Sequence, residues 1–222
     1  MNFFGHAVVA SWTSTEPAFV LGAMVPDFAN MVGTRVPPVS HEVVRRGVDF
    51  HHATDRVFHD TVTFRELMAD ARRELRALGL PRPSALAVGH IGVEILLDVS
   101  LAADARGSAA YLAALRGGRE SELGGHLGWE TDDARGRYAA LLGILSERGV
   151  PRSEADSAAV AFRVARALSR RPRLALTAEG EAIVQAWADR GAPVVAARAD
   201  GLVREILSGL GEALKTPARD SG

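Results

Sequence analysis

The chain has 222 residues, 47% of them hydrophobic and 24% charged, with a formal net charge of -1 and a pI near 6.7. This is the balance of an ordinary soluble globular protein long enough to bury a core, and nothing in it favours nucleic acid or an anionic membrane as a partner. Cysteine is absent, so disulfides and thiolate metal sites are excluded, and any bound metal must be held by His, Asp and Glu.

Met1 to Ala10 is apolar except for His6 and lacks the basic start and long apolar run of a signal peptide, so a cytoplasmic protein is expected. Thr15-Glu16-Pro17 reads as a helix start, with Thr15 as N-cap and Pro17 in the first turn. That helix, Glu16 to Met24, is expected to stop at Val25-Pro26, because proline disfavours helix in the residue before it. Asp27 would then stand just past a helix end. Gly33 to Ser40, with Pro37-Pro38, reads as a loop, and Ser40 as the cap of a central helix from His41 to about Asp60. A continuation or second helix runs to Leu78. Gly79 to Pro83 is a turn, and Ser84 is read as the cap of an apolar helix carrying His90, Glu94 and Asp98.

The apolar run Ala85 to Ala103 is long enough to consider as a membrane span, but three ionisable groups interrupt it and would be costly in lipid. It reads as a buried helix. Beyond Gly107 the pattern weakens at Gly117-Gly118 and Gly124-Gly125. Later helices are expected at Ala134 to Glu147, Ser153 to Arg170, Ala178 to Asp189 and Pro193 to Leu214, on spacings such as Tyr138, Leu141, Leu142 and Leu145. Arg163, Arg166, Arg170 and Arg171 read as solvated surface, and 215–222 as a disordered polar tail. The fold class is therefore all-α, a helical bundle. It divides into a metal-binding core over 1–106 and a region over 107–214 that extends or covers it.

Two polar stripes carry the chemistry. At about 100° per residue, His51, Asp55 and His59 fall on one face of the central helix, with His52 near the same arc. His90, Glu94 and Asp98 repeat that spacing on a helix that is otherwise aliphatic. Burying two carboxylates without compensation would cost several kcal/mol. A salt bridge to arginine is one answer; a cation shared with the first stripe is another, with the imidazoles as neutral ligands. The plainer readings are a solvated face for the first stripe and a metal-free hydrogen-bond network for the second. Asp27 reads equally as a turn carboxylate and His6 as a core histidine, while His41 and His126 read as ordinary polar residues.

Several segments together resemble a known family. Met1-Asn2-Phe3-Phe4-Gly5-His6, then Leu21-Gly22 with Asp27-Phe28, then Gly47-Val48 with His51 and Asp55, and finally Glu94 with Asp98 are similar to motifs of the acyl carrier protein phosphodiesterases. The resemblance covers Met1 to Ala103. It implies an HD-domain-like helical fold and a divalent-metal phosphodiesterase, manganese-dependent, that removes phosphopantetheine from a carrier-protein serine. The chain departs from the family pattern at His52, where the family has Arg, at His59, where it has a carboxylate, and at Val99, where it has His.

The expectation is a metal-dependent phosphoester hydrolase. Its ligands would come from His6, Asp27, His51, Asp55, His59, His90, Glu94 and Asp98, with Glu94 or His52 as general base or acid. The cofactor would be one or two divalent ions (Mn, Fe or Zn), and the partner a small phosphoester or an acyl carrier protein. The alternatives are a helical metal-binding protein without activity and a partner-binding helical module.

Overall fold

The computed structural model describes residues 1–151 and 156–213. Within them are ten helices and no strand, only an isolated bridge between Val39 and Leu127. The all-α bundle expected from the spacing of apolar residues is therefore the fold. The tail expected over 215–222 and the start of the helix expected from Ser153 lie outside the described residues.

The chain divides not near residue 106 but into two units interleaved in sequence: Met1–Asp55 with Leu101–Pro151, and Arg56–Ser100 with Arg152–Gly222. Unit 1 holds α1 (Phe3–Thr13), α2 (Pro17–Met31), most of α3 (Glu42–Asp60), α6 (Ala105–Arg119), α7 (Ser121–Gly124) and α8 (Asp132–Arg148). Helix α1 is buried from Phe3 to Ser11 and packs on both α2 and α6. Tyr111 of α6 stacks on Phe3 and meets Phe4 edge-on, while Phe3 also meets Phe28 of α2. Gly107 lets α6 lie against Val8, where an added Cβ would come within 2.9 Å of the valine methyls. Of the glycines where the pattern weakens, Gly117 and Gly118 are likewise packing positions inside α6, against Leu123 and Leu21, and Gly124 ends α7.

Unit 2 holds the last turn of α3, then α4 (Val62–Ala77), α5 (Arg82–Leu101) up to Ser100, α9 (Ser157–Leu168) and α10 (Ala178–Ala213). Helix α10 packs against α4 and α9. Trp187 of α10 fits against Gly92 of α5, where an added Cβ would lie 2.5 Å from the indole. Arg190 and Arg198 of α10 pair with Glu74 and Glu66 of α4. Among the described residues α5 is the one helix long and apolar enough to cross a membrane, and 61% of its apolar stretch is buried within the protein, as expected of a core helix.

Several boundaries differ from the sequence reading. Helix α2 begins at Pro17 after Glu16, not after a Thr15 cap, and runs through Pro26 to Met31. Proline inside a helix costs about 3 kcal/mol. Met24, Val25 and Phe28 around it are fully buried, and each such side chain contributes about 1.5–3 kcal/mol, so packing outweighs the lost bond. Helix α10 likewise runs through Pro193 instead of breaking after Asp189. The cap of α3 is His41 rather than Ser40: the Val44 amide donates to His41 Nδ1 at 3.4 Å, while Ser40 Oγ meets His126 Nδ1 at 2.9 Å. Helix α5 starts at Arg82, with Ser84 inside it and the Pro81 carbonyl accepting from Ala85 at 2.8 Å.

Candidate metal centre

The approach of α2 to α3 builds the site in unit 1. A Cβ on Gly22 would lie 2.0 Å from the Val44 carbonyl oxygen, and one on Gly47 would lie 2.2 Å from that of Phe19. Only glycine lets two backbones come so close. His51 is one helical turn past Gly47, and Ala23 is the residue after Gly22. The crossing therefore brings the His51 ring to the Ala23 carbonyl, where Nδ1 donates at 2.8 Å. A carbonyl only accepts, so Nδ1 carries the proton and Nε2 keeps its lone pair. Proteins orient metal-ligating imidazoles by this type of bond. Asp27 is one turn past Ala23 on α2, which carries its carboxylate toward the same place.

His6 enters from α1. Its ring stacks on His51 with centroids 3.8 Å apart and planes 28° from parallel. His6, Asp27 and His51 each offer one ligand atom, all within 4.8 Å of one another. Both rings are buried. Burial holds His6 down to about 3, against the raising effect of the Asp55 carboxylate and with His51 adding to the drop. Burial likewise lowers His51 to about 4, opposed by its bond to Ala23 and by Asp55. At neutral pH both are uncharged, the form a metal ligand requires. Asp55 stands at the rim, 38% exposed, with Oδ1 3.6 Å from His6 Nε2 and 3.1 Å from the Met1 amine. His52 is exposed and meets His51 edge-on, with centroids 5.4 Å apart.

The other expected ligands gather in unit 2. His59 from the last turn of α3 meets His90 and Glu94, one turn apart on α5. Asp98 takes the arginine answer: it is fully buried, and Arg163 Nη2 of α9 lies 3.4 Å from its Oδ2. Arg163 is thus a structural partner rather than plain surface. Both stripes hold only where the helix allows. Residues i and i+8 are about 12 Å apart along the axis, too far to share one ion. So His51 goes with His6 and Asp27, His59 goes with His90 and Glu94, Asp55 stays beside His6 outside the first group, and Asp98 falls outside either.

No family model, curated protein or solved structure matches the chain.

The chemistry is therefore carried by the two groups themselves. What the sequence reading lacked was the Ala23 carbonyl, a main-chain atom with no side-chain signature. The Gly22 and Gly47 pair is the one trace of it in the sequence. The donor sets fit a divalent cation: imidazole and carboxylate, no thiolate, from three helices in unit 1 and two in unit 2.

Proposed function

We propose that this protein is a divalent-metal-dependent phosphoester hydrolase working at the His6, Asp27 and His51 group, within an HD-domain-like helical fold. One observation carries the reading: two stacked, buried, neutral imidazoles beside a carboxylate, one of them fixed in orientation by a backbone carbonyl. Neutral buried rings with a shared direction are poor salt-bridge partners but good ligands for manganese, iron or zinc. A bound divalent ion would lower the pKa of a coordinated water and polarise a phosphoryl oxygen.

The chain's own residues supply the rest. His51 and His6 present lone pairs from a rigid stack, and Asp27 supplies the negative charge. Asp55, at the rim and 3.6 Å from His6, is placed to accept the proton of the attacking water. His52, exposed beside His51, is placed to give a proton to the leaving oxygen. The resemblance to acyl carrier protein phosphodiesterases makes the phosphopantetheinyl serine of a carrier protein the first natural substrate to try.

The test is turnover of bis-p-nitrophenyl phosphate and of a holo acyl carrier protein with added manganese, by wild type, His51→Ala and Asp27→Asn. Each variant is checked for native circular dichroism. Metal-stimulated hydrolysis lost by at least about a hundredfold in both variants is expected. Variants as fast as wild type, or a wild type inert toward both substrates, would overturn the assignment.

A further inference from the structure

We propose that His59, His90 and Glu94 form a zinc-class cation site inside unit 2, a reading that does not rest on any hydrolytic role for the His6, Asp27 and His51 group. The geometry points to one ion held by three donors. His59 Nε2 lies 3.3 Å from His90 Nε2, Glu94 Oε1 lies 3.1 Å from His90 Nε2, and it lies 3.7 Å from His59 Nε2. Three N or O donors held at about 2.0–2.1 Å in a tetrahedral arrangement are about 3.3–3.4 Å apart. The separations here straddle that value. The point equidistant from the three atoms in their own plane is about 2.0 Å from each, so an ion fits with little movement.

In the metal-free cluster both imidazoles can donate to the Glu94 carboxylate. Two Nε2 atoms face each other, and a hydrogen bond between them needs a proton on only one. The carboxylate oxygen converges on the same space. With those protons displaced, one cation would meet all three donor atoms together.

The surroundings match a binding site. Phe64, buried in α4, meets both rings edge-on, His59 at 5.4 Å and 82°, His90 at 5.5 Å and 90°. Phe58 meets His59 from another side at 5.1 Å. These aromatics hold the imidazoles in direction. His90 and Glu94 are i, i+4 on α5, so one helix fixes two of the donors. The side chains of His59, His90 and Glu94 are 34%, 38% and 14% exposed, which leaves solvent able to supply a fourth ligand. Two imidazoles and one carboxylate select a transition cation such as zinc over magnesium or calcium, which prefer six or more oxygen donors.

Untagged full-length protein, stripped with chelator, is titrated with zinc alone and with cobalt(II) alone. Metal content and the visible cobalt bands are recorded for wild type, His90→Ala, Glu94→Gln and His51→Ala. Wild type is expected to bind zinc at this site and to give the intense bands of low-coordinate cobalt. His90→Ala and Glu94→Gln should each lose one equivalent of zinc and those bands, with affinity falling by more than about a hundredfold, beyond the change an outer-shell substitution produces. His51→Ala should keep the equivalent and the bands that His90→Ala and Glu94→Gln remove. Magnesium should not compete. The proposal is overturned if His90→Ala and Glu94→Gln, folded by circular dichroism, bind as wild type does. It is equally overturned if wild type takes up no zinc, or loses all of it in His51→Ala. The outcome does not depend on phosphodiesterase activity, so either reading can fail alone.

Discussion

His6 and His51 are buried as neutral rings, and this ties the stability of the metal-free protein to pH. Their folded pKa values, about 3 and about 4, lie below the ordinary 6.5 because burial disfavours the imidazolium. Between those values and 6.5 the unfolded chain binds protons that the folded chain refuses. Stability is therefore full above about pH 6.5 and lost as pH falls toward 4, by up to about 1.4 kcal/mol per pH unit for each ring. The charged groups facing the pair are the Asp27 and Asp55 carboxylates and the Met1 amine. In chelator, the urea midpoint of wild type should fall steadily from pH 7 to pH 5, a window above the range in which carboxylates dominate. His51→Asn should fall about half as steeply. A wild-type midpoint that is flat over that window would mean the rings are not buried. Neither pKa shift was legible in the sequence. His6 sits among apolar residues, and His51 beside a second histidine, but the depth of each depends on what other helices lay over it.

The crossing of α2 and α3 is an element-scale device with a single-atom tolerance. Gly22→Ala would put a methyl 2.0 Å from a carbonyl oxygen that cannot move without its helix. Overpacking of this kind costs about 1–3 kcal/mol and more where backbone must shift, so a loss of at least about 3 kcal/mol is expected. Gly143→Ala in α8, with open space around its would-be Cβ, should gain about 0.5–1 kcal/mol. Thermal unfolding of the two variants checks both signs, and a neutral Gly22→Ala would remove the crossing from the account. Helix type was readable from apolar spacing, as at Tyr138, Leu142 and Leu145, all buried along α8. Helix ends were less so. Pro26 and Pro193 are strong local breakers, yet both sit inside helices, because burial on either side outweighs the one missing amide. Glycine weakened the apolar pattern without ending the helix: Gly107 and Gly118 of α6 mark contacts with Val8 and Leu21.

At the scale of the whole chain, the two units are interleaved, and no local pattern announces it. The resemblance covering Met1 to Ala103 stops before α6, whose Tyr111 closes the aromatic cluster of α1. A fragment of residues 1–106 should therefore fail to fold, with Phe3, Phe4 and Leu21 exposed and dye-binding in solution. Sharp near-ultraviolet circular dichroism from that fragment would refute the division. The Asp98 and Arg163 contact shows the same limit: 65 residues separate the partners, and nothing near either names the other. Interleaving also has a consequence for biosynthesis. Helices α1 and α2 leave the ribosome early, but their covering helix α6 follows only after α3, α4 and α5 have been made. At roughly 5–20 residues per second the wait is on the order of ten seconds. Throughout it the nascent chain carries a greasy, unfinished surface, which makes the newborn protein a natural client for ribosome-associated chaperones.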